Sequence, residues 1–136
     1  MVTHYPLRVG PFSRGFHLIT EEVIKTVPNW PSQGMLCVFI QHTSAGLSIN
    51  ENADDTVRRD FELFFDRLAP ENLPGIQHDL EGPDDMPAHI KTTLTDSMVQ
   101  IPIMNGKPAM GQWQGIYLCE FRDRARPRDL IISIID

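Results

Sequence analysis

GMLCVFIQHTSAGLSINENADD, residues 34–55, is the stretch whose reading decides the fold. Its first segment, GMLCVFIQ, is almost unbroken in apolar character and starts at Gly34, which predicts a strand buried on both faces and central in its sheet. After the turn HTSAG, Leu47 and Ile49 alternate with Ser48 and Asn50, the period of two of a half-buried strand. A helix over 53–68 follows. Ala53, Val57, Phe61, Phe64, Phe65 and Leu68 keep a 3.6-residue period, Asn52 can cap the first turn, and Pro70 closes it.

Working outward, residues 5–9 and 15–19 read as short strands, and Thr20 can cap a helix through TEEVIKTV that Pro28 and Pro31 end. Another helix starts at Asp85, as its N-cap, and runs to about Thr95. It carries Pro87 in its first turn, where a missing N–H costs nothing. MVQIPI, GIYLCEF and DLIISII read as strands separated by Gly, Pro and Asn turns. Strands dominate, with about three helices packed on them, which predicts an α+β fold: a mostly antiparallel or mixed β-sandwich. No repeat, low-complexity tract or linker divides the chain, and 136 residues suit a single domain, 1–136, with one core.

Composition excludes several functions. The 41% apolar content is that of a globular protein, and no apolar run approaches the roughly 20 residues of a membrane span. The first ten residues lack the charge and apolar pattern of a signal or transit peptide, so a cytoplasmic address is expected. Cys37 and Cys119 lie in apolar strand segments and are expected to be buried, reduced thiols. A formal charge of −6 opposes sequence-independent binding of nucleic acid, which depends on many basic groups, yet leaves room for a small anion in a local basic pocket.

Two polar segments stand out as candidate sites. In 41–55, His42 follows an apolar strand, Thr43 and Ser44 can donate hydroxyls, and Asn50 and Glu51 precede a helix N-terminus whose free N–H groups favour an anion. Asp54–Arg58 and Asp55–Arg59 are i,i+4 pairs in the favourable order, so both aspartates have structural work, whereas His42 and Glu51 have none assigned. In HDLEGPDDMPAH, 78–89, a helix cap accounts for Asp85 but not for His78, Glu81, Asp84 or His89. The spacing of the two histidines matches no tight ligand motif, so a metal site there has to be assembled across segments.

In GQWQGIYLCEFRDRARPRD, Trp113 stands outside any apolar period. It reads equally as a stacking platform for a flat ring or as a cover over the core edge. Ile116, Leu118, Glu120 and Arg122 share one strand face that begins apolar and ends charged. Arg122, Arg124, Arg126 and Arg128 form the only basic cluster, suited to gripping a phosphate. Pro127 and Asp123 make a charged hairpin turn the favoured reading of Arg124 and Arg126. P-loop, dinucleotide and serine-hydrolase signatures are absent.

HTSAGLSINENADD, HDLEGPDDMPAHIK and GQWQGIYLCEFRD, in this order and spacing, resemble the YjbQ family, also described as secondary thiamine-phosphate synthases. The likeness covers nearly the whole chain. It departs from the usual pattern at Gln112, where threonine is expected, at Asp96, where glycine is common, and over 75–77, where an aromatic usually precedes the histidine. The resemblance implies a homotrimer with His42, His78 and His89 as metal ligands for one divalent ion, zinc preferred and magnesium the alternative. His42, Glu51, Glu81 and Glu120 are then the catalytic candidates, and Thr43, Ser44, Asn50, Trp113, Gln114 and Arg122 the substrate-binding ones. The implied reaction joins a pyrimidine pyrophosphate to a thiazole phosphate, with pyrophosphate leaving. The alternatives are a metal-dependent hydrolase of a small phosphorylated metabolite, with Glu81 or Glu51 as base, and a non-catalytic trimeric metal- or metabolite-binding protein.

Overall fold

Where the sequence alternates apolar and polar residues the chain extends, and the computed structural model, which describes residues 1–136, sorts the resulting strands into two sheets. The chain runs β1 (Val2–Val9), β2 (Gly15–Leu18), α1 (Thr20–Thr26), β3 (Gln33–Ile40), β4 (Ala45–Glu51), α2 (Asp55–Leu68) and α3 (Asp85–Thr93). It continues through β5 (Met98–Met104), β6 (Lys107–Pro108), β7 (Gln114–Glu120) and β8 (Arg128–Ile135). A five-stranded sheet has the order β1-β8-β3-β5-β6 and a three-stranded sheet the order β2-β7-β4, with every pairing antiparallel. This is the expected α+β arrangement of two sheets and three helices. β6, only two residues long, is too short to show a period and is invisible to sequence reading.

The main core lies between the sheets. Leu36, Val38 and Ile40 of β3, Val99, Ile101 and Ile103 of β5, and Leu130, Ile132 and Ile134 of β8 face Leu47, Ile116 and Leu118 of the smaller sheet. Val23 of α1 joins them. The opposite face of the smaller sheet carries a second cluster of Phe16, Tyr117, Cys119 and Phe121 with Ala88 of α3, closed by Phe61 and Phe65 of α2. Phe16 touches both α2 phenyl rings, at centroid distances of 5.2 and 5.4 Å. The doubly buried strand is therefore β7, in which every residue from Gly115 to Glu120 is buried. β3 is central in its sheet, as expected, but its outer face is not covered: Phe39 is 38% exposed. An unbroken apolar run does not tell a doubly buried strand from one whose outer face is apolar and open.

The helices keep their expected positions but not their caps. α2 starts at Asp55, and its N-cap is Asp54, whose carboxylate accepts the Thr56 N–H at 2.9 Å, rather than Asn52. Asp55 pairs with Arg59 at 3.7 Å. Arg58 turns instead to the Tyr117 hydroxyl, away from Asp54. Phe64 and Leu68, placed on the apolar face by period, are each 66% exposed because the stripe that meets the sheet is only as wide as Phe61 and Phe65. Thr20 is the first residue of α1 and not its cap; its hydroxyl accepts the Ile116 N–H at 2.9 Å and ties the helix to β7.

Gly34 has φ +151°, and a Cβ there would collide with the Ile135 carbonyl oxygen across the β3–β8 pair. Gly34→Ala is expected to lower stability by about 1–3 kcal/mol, the usual cost of overpacking a tight site. A urea midpoint within error of the wild type would refute this.

Candidate functional site

Antiparallel register brings the polar segments to one end of the sheets. Ile40 pairs with Leu130 and Ala45 with Glu120, so the 41–44 turn and the 121–127 loop emerge side by side, and the start of α3 packs against them. Beneath them Glu120, fully buried, receives Arg128 Nε at 2.7 Å and also its Nη2. The same guanidinium donates to the Ser44 hydroxyl at 3.1 Å. A buried ion pair thus joins the two loops from below.

Above it lies a cluster of His78, Asp85 and His89, whose candidate ligand atoms all sit within 4.8 Å of one another. Asp85 and His89 are one helical turn apart, so both project from the same face of α3. His89 Nδ1 is 2.9 Å from the Thr43 carbonyl oxygen, which can only accept, so Nδ1 carries the proton. In the neutral ring Nε2 then keeps the lone pair, and it faces inward, 3.4 Å from Asp85 Oδ1. His78 Nε2 lies 2.7 Å from Asp85 Oδ2. Two imidazole nitrogens and a carboxylate, one imidazole oriented by a backbone carbonyl, suit zinc or a similar divalent ion and leave further coordination positions open.

Arg122 locks this cluster in place. Its Nε donates to Asp84 at 2.9 Å, one terminal nitrogen to Asp85 at 2.7 Å, and the other to the Glu81 carbonyl at 2.8 Å. Burial works against charge on Asp84, but the Asp123 N–H and Arg122 outweigh it and hold the carboxyl below its usual range. Burial likewise opposes charge on Arg122, and Asp84, Asp85 and Glu81 more than compensate, raising its pKa.

The structure redistributes the residues singled out by sequence. Of the three histidines expected to share a metal, it gathers His78 and His89. His42 is engaged elsewhere: its Nε2 accepts the Asp129 N–H at 2.8 Å, and its Nδ1 is 3.4 Å from Arg128. Burial, then Arg128, push its pKa down, so it is a neutral ring whose Nε2 lone pair is already used. Asp85 stands in its place, hidden from sequence reading behind its resemblance to a helix cap. The cap position belongs to Asp84, which makes no side-chain cap bond. The i,i+4 spacing of Asp85 and His89 is the signal that could have found it.

Glu51, left without structural work by the sequence, accepts the N–H groups of Ala53 and Asp54 and so shapes the entry to α2. Asn50 accepts the Glu51 N–H, and Gln114 the Gly111 N–H, both at 2.8 Å. Asn50, Glu51, Trp113 and Gln114 lie at the opposite end of the β4–β7 pair from Glu120, roughly 20 Å away along a seven-residue strand. Trp113 is 59% exposed and covers no core edge. Glu120 is committed to Arg128 and Arg122 to the acidic cluster, while Glu81 stays exposed beside Arg122 at 3.7 Å.

These features define a two-sheet α+β protein with an ionisable cluster at the loop end of its sheets. Residues 7–136 match the family model described as UPF0047 protein YjbQ-like. The UPF0047 protein YjbQ of Escherichia coli O157:H7 is 44% identical over 130 residues, 94% of each chain. The chain belongs to the YjbQ (UPF0047) family. Among solved structures, a conserved hypothetical protein from Thermus thermophilus superposes with a TM-score of 0.84 at 32% identity, covering 96% of this chain and 98% of that one. A YjbQ/UPF0047 protein from Clostridium acetobutylicum gives 0.76 at 39% identity, covering 98% and 99%.

Proposed function

We propose that this chain is a divalent-metal-assisted transferase of the thiamine-phosphate-synthase type, joining a pyrimidine pyrophosphate to a thiazole phosphate. The observation that carries this reading is the His78–Asp85–His89 cluster beside an arginine-lined cleft. Breaking the bond to pyrophosphate leaves negative charge on the departing oxygens and positive charge on the pyrimidine methylene carbon, which the thiazole nitrogen captures. A zinc ion held by His78, Asp85 and His89 would supply positive charge for the leaving group; magnesium is the alternative. Thr43 fixes the orientation of His89, and Arg122 that of Asp85. Glu81, 3.7 Å from Arg122, is the most exposed of the carboxylates around that guanidinium.

Purified protein with zinc and both substrates is expected to release pyrophosphate only when the thiazole phosphate is present. Inorganic phosphate from a single substrate would instead favour a metal-dependent hydrolase with Glu81 as base. That second reading is favoured by the distance of Trp113 from the cluster within one chain, which takes the aromatic platform away from the developing cation. In a Trp30→Phe background, which leaves Trp113 as the one tryptophan, a pyrimidine ligand is expected to shift its fluorescence if a neighbouring subunit of the proposed trimer brings Trp113 to the cluster, and an unchanged spectrum removes Trp113 from the site. Inactivity in both assays with metal bound would leave a metal- or metabolite-binding protein.

The assembly we propose is a homotrimer formed through the outer face of the larger sheet. Phe39 pairs there with Met98 and Ile131, and Met35 with Ile135, two partly exposed apolar patches on either side of the row Gln100–Cys37–Ser133. Light scattering that gives a monomer mass at micromolar concentration would refute it. No helix is long and apolar enough to cross a membrane, and the buried, unpaired Cys37 and Cys119 accord with a reducing cytoplasm.

A further inference from the structure

The largest cleft in the molecule, about 700 Å³, opens between the 121–127 loop, the start of β8 and the 41–44 turn. Arg8, Arg122, Arg124, Arg126 and Arg128 line it against only two carboxylates, Glu81 and Asp129, in a chain that is acidic overall. Their commitments differ. Arg8 is held by Asp129 at 2.8 Å, Arg122 by the acidic cluster, and Arg128 by Glu120. Arg124 and Arg126 make no side-chain hydrogen bond or ion pair with the rest of the chain, and both are exposed at the cleft. Arg122, which the resemblance implies for substrate binding, is held by Asp84, Asp85 and Glu81, whereas Arg124 and Arg126, expected in a charged turn, lie in an exposed loop with their donors free.

We infer that Arg124 and Arg126 form the pocket for the substrate's phosphate or diphosphate group, beside the His78–Asp85–His89 cluster and not within it. The inference rests on the proposed reading of that cluster as a working site and names the ligand class the adjoining cleft takes. Two free guanidinium forks offer paired N–H donors in the planar geometry that phosphate oxygens match. A lining in which only Ala125 and Pro127 lack polar side chains gives no purchase to an apolar ligand. The other three arginines are each paired with carboxylates, Arg8 with Asp129, Arg122 with Asp84, Asp85 and Glu81, and Arg128 with Glu120, so the positive charge left over for an anion at this cleft is that of Arg124 and Arg126. Arg122 and Glu81 lie on the wall shared with the cluster, so a ligand with one end on the metal position and a phosphate on Arg124 and Arg126 would lie across Arg122.

Inorganic pyrophosphate is the probe. Calorimetric titration of the full chain in EDTA is expected to show binding that weakens with added salt. Arg124→Gln with Arg126→Gln should lower pyrophosphate affinity by about tenfold or more, the scale of losing charge-assisted hydrogen bonds, while zinc affinity and urea stability stay at wild-type values. Arg59→Gln, which removes the same charge from α2, should leave pyrophosphate binding unchanged. No binding of pyrophosphate, or an equal loss in Arg59→Gln, would overturn the assignment. So would tighter binding of a short single-stranded oligonucleotide than of pyrophosphate. Failure of the transferase assay together with Arg124- and Arg126-dependent pyrophosphate binding would sink the proposed reaction and support the pocket.

Discussion

Arg128→Met is expected to destabilise the fold by about 3–5 kcal/mol, the scale measured when one partner of a buried ion pair is removed. Glu120 is fully buried and the Arg128 side chain only 8% exposed, so neither charge has water to fall back on. With Arg128 gone, the carboxylate keeps only the Arg122 N–H at 3.2 Å, and Ser44 loses its donor. Replacing the pair together, Glu120→Leu with Arg128→Met, should recover most of the loss, because two apolar side chains carry no desolvation cost. Urea unfolding of the single and double variants measures both. A single variant within about 1 kcal/mol of wild type would show that water reaches the pair.

Asp85→Ala and His89→Ala are expected to reduce zinc affinity by about a hundredfold or more, and His42→Ala to leave it within a few-fold. The contrast follows from geometry. Asp85 and His89 face each other across 3.4 Å with the His89 lone pair turned inward, whereas the His42 Nε2 lone pair is taken by the Asp129 N–H. Competition titration with a zinc chelator at neutral pH gives the affinities, and affinity should fall on acidification because imidazole must be deprotonated to bind. Circular dichroism of Asp85→Ala checks that releasing Arg122 has not loosened α3. A loss in His42→Ala as large as in His89→Ala, with Asp85→Ala near wild type, would restore the three-histidine set.

Acid is expected to weaken the fold through His42 and Asp84. Both are held below their ordinary pKa values in the folded chain, so the unfolded chain binds protons first as pH falls. The His42 contribution is complete above its unfolded pKa of about 6.5 and fades as pH falls through the lowered folded value; that of Asp84 follows below about 4. His42→Gln should flatten the first part of a urea-midpoint profile.

Much of the fold is legible in the sequence because its signals are local. The period of two in LSIN and MVQIPI and the 3.6-residue phase of Phe61 and Phe65 depend only on neighbours within a few positions. Cap positions are less legible, since Asn52, Asp54 and Asp55 all carry capping side chains, and Asp54 prevails by reaching the Thr56 N–H. In the site, His78 and His89 stand out as histidines in a loop and a helix start. Asp85 does not, because a carboxylate at a helix start always has a capping explanation at hand.

By itself the sequence determined the strand and helix patterns, the apolar strand faces that build the main core, and the acidic balance with one arginine cluster. Tertiary structure alone decided which polar groups meet. Register sets Ala45 opposite Glu120 and Glu51 opposite Gln114, and this splits one expected pocket into two ends of a strand pair. It also decided which arginines are free, because a guanidinium is neutralised by whatever carboxylate the fold delivers to it. Asp84 and Asp85 come to Arg122 from a distant stretch of sequence, and Glu120 comes to Arg128 across a loop, while nothing reaches Arg124 or Arg126. Periodicity reports the face on which a residue lies, and only the closed fold reports what lies across from it.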